Sequence, residues 1–183
     1  MPVIVTPSEF TMVGFDADVL RDLTEELLPK VGLDPDADVR VEVDETTPVG
    51  WAAITSLDPV TLAIESGALE DPKRPRLLSE PGAQNVIGRL LLQAGDRLDP
   101  AFGAPPLDEP IGLEAANAWE TYCAGRLDSL GYRYYDQYQR RLYTFRNRHG
   151  FSDTADAVFE RLWKGDGLTW PDVTALSAEA LAT

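Results

Sequence analysis

One cysteine, one histidine and two methionines in 183 residues leave this chain little material for redox or metal chemistry. A lone Cys123 cannot close an internal disulfide, which fits a reducing compartment, and we expect the cytoplasm. With His149 as the only histidine, one chain cannot supply three nitrogen or sulfur ligands to zinc, so no metal site is expected. Cations are scarce as well, with 16 Lys and Arg against 31 Asp and Glu and a net charge of −15. A chain this acidic repels a polyanion at long range, and we expect no nucleic-acid partner. No apolar run approaches the ~18–20 residues of a membrane span, so no membrane association is expected. The opening MPVIVTPSEF carries no Lys or Arg, so it lacks the charged start of a secretory signal. Phosphate loops of the GxGxxG or GxxxxGK[ST] kind, a GxSxG elbow, HExxH and an EF-hand loop are all missing, and no cofactor is expected.

What remains is the composition of an ordinary globular chain, 44% hydrophobic and 26% charged. At this length it can bury a core without staples, and residues 1–183 read as one domain. A subdivision is also open: an α+β part over 1–98 and a helical part over 111–183, joined by the Pro-rich connector 99–110. No feature fixes an oligomeric state.

The pattern predicts an α+β fold, with a small antiparallel sheet packed on helices and a mainly helical C-terminal half. Val3–Thr6 is a short β-type run. Asp16 can cap a helix in which Val19, Leu20, Leu23 and Leu27 recur at helical spacing, stopped by Pro29 with Gly32 as its exit. Val39, Val41 and Val43 alternate with Arg40, Glu42 and Asp44, the mark of a half-buried strand. Gly50–Ser56 and Val60–Glu65 follow as further strands, and short connections predict an antiparallel meander covered by the first helix. Residues 66–79, broken by Gly67, Pro72 and Pro75, read as a surface loop. From Ser79 to Leu98 the apolar residues fit a buried helix, and Gly88 and Gly95 within it point to close packing contacts.

Leu113 to Phe151 holds all six tyrosines, the cysteine and the histidine. Between Arg126 and His149 six arginines face Asp128 and Asp136, a local balance of +4 in an acidic chain. One helix carries the stripe Leu113, Ala116, Trp119, Cys123, Leu127 and Leu130. A second carries Tyr135, Tyr138, Leu142, Phe145 and His149, with the arginines largely off it and Gly150 at its end. Ser152 or Asp153 then caps a helix, and Thr169–Asp172 forms a capping box for the last one.

The second of these helices is the candidate site. Arg133, Arg140 and Arg141, with Tyr134 and Gln137, can grip a carboxylate or phosphate by bidentate bonds, and the rings can stack on a planar group. His149 is a candidate acid or base beside them. The competing reading pairs these arginines with the acidic remainder of the chain. No catalytic residue is assigned. A Cys123–His149 dyad would require the two helices to fold back on each other. A His149, Asp153 and Asp156 metal set is interrupted by Gly150.

The order helix, strands, buried helix resembles the N-terminal part of zincin-type metallopeptidases over about half the chain. Their HExxHxxG falls on Gly88-Arg89-Leu90-Leu91-Leu92-Gln93-Ala94-Gly95, where the last glycine alone agrees. The resemblance implies a metal-free scaffold without peptidase activity, its helix 80–98 packed under the sheet.

The leading expectation is a non-enzymatic interaction protein that uses the Arg/Tyr helix. A protein or peptide partner would meet side chains spread along a convex face. A small-anion binder or enzyme would bring the same side chains into a concave pocket.

Overall fold

The computed structural model describes residues 3–182. The chain is α+β and forms two compact units, Met1–Leu98 and Asp99–Thr183. Among the described residues no helix is long and apolar enough to cross a membrane.

In the first unit, strand β1 (Val3–Thr6) leads into helix α1 (Ala17–Lys30). The Asp16 carboxylate accepts from the Asp18 N–H and caps α1. Pro29 sits inside the last turn, and the helix ends one residue after it. The exit is a Schellman turn: the N–H of Leu33 donates to Leu28 and that of Gly32 to Pro29, with Gly32 at φ +81°. Strands β2 (Val39–Asp44), β3 (Ala52–Leu57) and β4 (Val60–Glu65) complete a four-stranded sheet. Helix α2 (Glu80–Leu98) packs against α1, β3 and β4, and α1 packs against β1.

The sheet is not the antiparallel meander expected from the sequence. Its order is β1-β2-β4-β3, with β1, β2 and β4 mutually parallel and β3 alone antiparallel. Alternation specifies which face of a strand is buried but carries no information about direction. Burial chose the order: Val60, Thr61, Leu62 and Ile64 are all buried, so β4 takes a central place beside β2. The seven residues between β2 and β3 suffice to carry the chain past it.

The expected loop over 66–79 is also structured. A 3-10 turn (Ser66–Ala68) precedes a small hairpin of β5 (Glu70–Asp71) and β6 (Arg74–Leu78). Pro75 and the charges hide this strand, because a two-stranded edge pair asks for neither alternation nor an unbroken row of donors. A parallel bridge, Gly14 to Leu77, ties β6 to the segment after β1.

The second unit is helical: α3 (Leu113–Ser129), α4 (Gln137–His149), α5 (Asp153–Trp163) and α6 (Trp170–Leu181). Helix α3 packs against the other three. Its core face is Trp119, Tyr122, Cys123 and Leu127, whereas the expected ends of the stripe, Leu113 and Leu130, are exposed. Gly131 breaks α3 from α4 in a second Schellman turn, with Tyr132 N–H donating to Leu127 and Gly131 N–H to Asp128. Ser152 caps α5 through the Ala155 N–H, and Thr169 with Asp172 forms the capping box of α6. Phe102 stacks on Trp119 at 5.5 Å between ring centres, and Trp170 meets Trp119 at 5.2 Å with its ring tilted by 60°.

Candidate functional site

Helix α4 reads QYQRRLYTFRNRH and contains no acidic residue. Its inward face is set by Phe145 and His149, both buried, with Tyr138 at the edge. The Tyr138 ring meets Phe159 and Trp163 edge-on at 5.3 and 5.2 Å, and its hydroxyl donates to the Glu160 carboxylate. These contacts orient α4 on α5 and fix which of its arginines face outward.

Three arginines of this region are turned toward acids of the same unit. Arg141 donates to Glu120 at 2.8 Å with its side chain 16% exposed. Arg146 forks onto Asp156, Nε to Oδ1 at 2.8 Å and Nη2 to Oδ2 at 2.7 Å. That fork holds the Asp156 carboxyl below its usual range and raises the Arg146 guanidinium. Arg133 lies 3.8 Å from Asp128 on the surface. Arg126 stands over the Tyr122 ring at 4.0 Å and donates to the Cys123 sulfur at 3.2 Å.

His149 is 3% exposed and its ring lies 4.0 Å from the Phe145 ring, nearly parallel. Nδ1 is 3.2 Å from the Phe145 carbonyl, so that nitrogen carries the proton; Nε2 then accepts from the Ser177 hydroxyl at 2.9 Å. Burial pushes its pKa down, against the opposing pull of the Phe145 carbonyl and the Glu114 charge. Both ring nitrogens are taken, which leaves none for Cys123 and removes the dyad. Asp156 is committed to Arg146, and among the described residues no group of three or more His, Cys, Asp or Glu is placed to hold a metal.

The six residues singled out from the sequence therefore do not share one orientation. His149 turns to α6 and Arg141 to α3. Gln137 is 6% exposed, and neither end of its amide has a protein partner. Arg133 is exposed and engages Asp128. Tyr134 lies 5.6 Å from the outward Arg140 guanidinium. Tyr135, expected on the apolar stripe, stands ahead of the helix and is 79% exposed.

A second face emerges instead. Arg140, Tyr143, Thr144, Asn147 and Arg148 are all exposed at i, i+3, i+4, i+7 and i+8, and Phe151 follows just beyond the helix end. Tyr143 and Phe151 are 62% and 68% exposed, and their rings meet edge-on at 6.3 Å. Neither Arg140 nor Arg148 joins an ion pair among the described residues. Tyr143 and Phe151 were not picked out from sequence. The available signal was an aromatic residue recurring at helical spacing on the polar side of the helix.

Comparison of the chain with protein-family models, with curated proteins and with solved structures finds no match in any of the three.

Proposed function

We infer that the outward face of α4 is a docking surface for an acidic protein segment carrying an apolar or aromatic residue. The observation that carries this reading is the pair Tyr143 and Phe151, exposed and in mutual contact, flanked by Arg140 and Arg148 without an ion-pair partner. Tyrosine, phenylalanine and arginine are the side chains that binding hot spots favour, and two large exposed rings side by side are uncommon on a surface that meets only water. The charge fits as well. A helix with four arginines and no acid, in a chain of net −15, attracts acidic partners locally while screening confines the repulsion of the remainder to about 8–10 Å.

The small-anion reading has less support. Arg140 and Arg148 are eight residues apart, or about 12 Å along a helix at 1.5 Å per residue, a spread suited to an extended partner. Arg141 and Arg146 are already paired with carboxylates of the same unit. For the first unit, the packing of α2 on β3 and β4 suits a peptidase-like scaffold, and Gly88, Arg89 and Leu92 supply no ligand at the motif positions. The fully buried single thiol of Cys123 suits a cytoplasmic protein.

A peptide-display selection against the immobilised protein tests the docking reading. Enriched peptides should combine Asp or Glu with an aromatic or aliphatic residue, and should shift the amide resonances of 140–151. Affinity should fall at least about tenfold in Arg140→Glu/Arg148→Glu and in Tyr143→Ala, a loss of about 1.4 kcal/mol. Enrichment without acidic residues, or shifts confined to other elements, would reject it.

A further inference from the structure

The three parallel strands of the first unit end together, and the segments that leave them enclose a cleft of about 120 Å³. Met12 follows β1, Glu45 and Pro48 follow β2, and Ser66 and Glu70 follow β4; Arg76 of β6 also lines it. In open sheets with parallel strands, the crevice beyond the carboxyl ends of those strands is where ligands settle, since loops diverge there and leave room.

The chemistry of the wall narrows the ligand. The Glu45 carboxylate accepts from the N–H groups of Thr11 and Met12 at 2.9 and 2.8 Å and from the Thr11 hydroxyl at 3.1 Å. It is thereby spent on holding the segment after β1. Glu70 and Arg76 are different: both line the cleft, yet neither side chain makes a hydrogen bond or ion pair, with each other or with any described residue. Arg76 is held in a left-handed backbone conformation, φ +66°, while its carbonyl accepts from the Gly14 N–H at 2.7 Å. The cleft thus offers one uncommitted anion, one uncommitted cation and an apolar wall of Met12 and Pro48.

We propose that this cleft binds a small zwitterion of the α-amino-acid class, its ammonium on Glu70, its carboxylate on Arg76 and its side chain against Met12 and Pro48. Ser66, buried at the floor of the strands' ends, also lines the cleft, and its hydroxyl donates to the Thr47 carbonyl at 3.1 Å. The cleft volume limits the ligand to small members of the class, such as alanine and serine. This site is independent of the α4 surface, which lies in the other unit.

The test is an amide-resonance titration of the full chain with L-alanine, L-serine and L-leucine. N-acetyl-L-alanine and L-alaninamide each remove one charge and serve as comparisons. The expected result is saturable shifts at residues 11–13, 45–48, 66–70 and 76 for alanine or serine, with a Kd of about 0.1–1 mM. Either neutralised analogue, and either variant Glu70→Gln or Arg76→Gln, should weaken binding at least about tenfold, with melting temperature unchanged in the variants. Arg76 is exposed and Glu70 half-buried, and neither side chain makes a bond that its replacement would break, so folding and binding separate. No saturable shift from any free amino acid, or binding of the acetylated or amidated form as tight as that of the free amino acid, would overturn the assignment.

Discussion

Arg146 holds Asp156 by two parallel bonds that join α4 to α5, Nε to Oδ1 at 2.8 Å and Nη2 to Oδ2 at 2.7 Å. The fork depresses the Asp156 carboxyl. A carboxylate with a depressed folded pKa adds stability that is present above its unfolded value and is lost as pH falls through the folded one. Asp156→Asn should therefore lower the melting temperature at pH 7. The gap from wild type should close as pH falls below the ordinary carboxylate range of about 4. Melting curves of both proteins from pH 7 to 3 check this, and a gap independent of pH would show that the pair contributes packing and no charge.

His149 works in the opposite pH range. Burial lowers its folded pKa, so above the unfolded value of about 6.5 both states are neutral and its contribution is whole. As pH falls below about 6.5 the unfolded chain takes up a proton that the folded chain resists, and stability drops. The charge facing the ring is Glu114 of α3, which works against the shift. His149→Gln, which can still meet Ser177, should flatten the melting temperature between pH 7.5 and about 5, where wild type should slope downward. Parallel slopes would mean that another group titrates there.

Much of the architecture was legible because caps and apolar periods are local signals. Asp16, Ser152 and the Thr169–Asp172 box each sit where they start a helix, and α2 occupies the span its apolar repeat defined. Strand direction was not legible, since Val39, Val41 and Val43 face the core equally well beside a parallel or an antiparallel β4. The fate of the arginines was not legible either. Arg140 and Arg141 are adjacent in sequence, yet one faces solvent and the other Glu120, because adjacent helical positions lie 100° apart and only packing decides which is inward. Gln137 is buried with Phe145 on the core side of α4, where sequence reasoning had seen a polar contact residue.

That burial gives a stability prediction. Both polar atoms of the Gln137 amide are enclosed without a protein partner, so removing them breaks no bond and relieves desolvation. Gln137→Met conserves length and volume, and should stabilise the fold by about 1 kcal/mol, or about 2–4 °C in melting temperature. A drop in melting temperature would mean that the amide is hydrogen-bonded through solvent and belongs to the structure as it stands.

Two helical glycines separate propensity from packing. A Cβ on Gly125 would lie 2.0 Å from the Trp163 carbonyl oxygen, and that atom is backbone, so α3 and α5 would have to move apart. Gly125→Ala should cost about 3 kcal/mol, the upper end for overpacking. At Gly95 the expectation of tight packing is not met: a Cβ would sit 3.5 Å from the Leu33 side chain, an ordinary contact. There the helix preference for alanine acts alone, and Gly95→Ala should stabilise by up to about 1 kcal/mol. Chemical denaturation of the two variants gives opposite signs if the α3–α5 crossing is as close as Gly125 allows. A neutral Gly125→Ala would mean that the two helices separate at little cost.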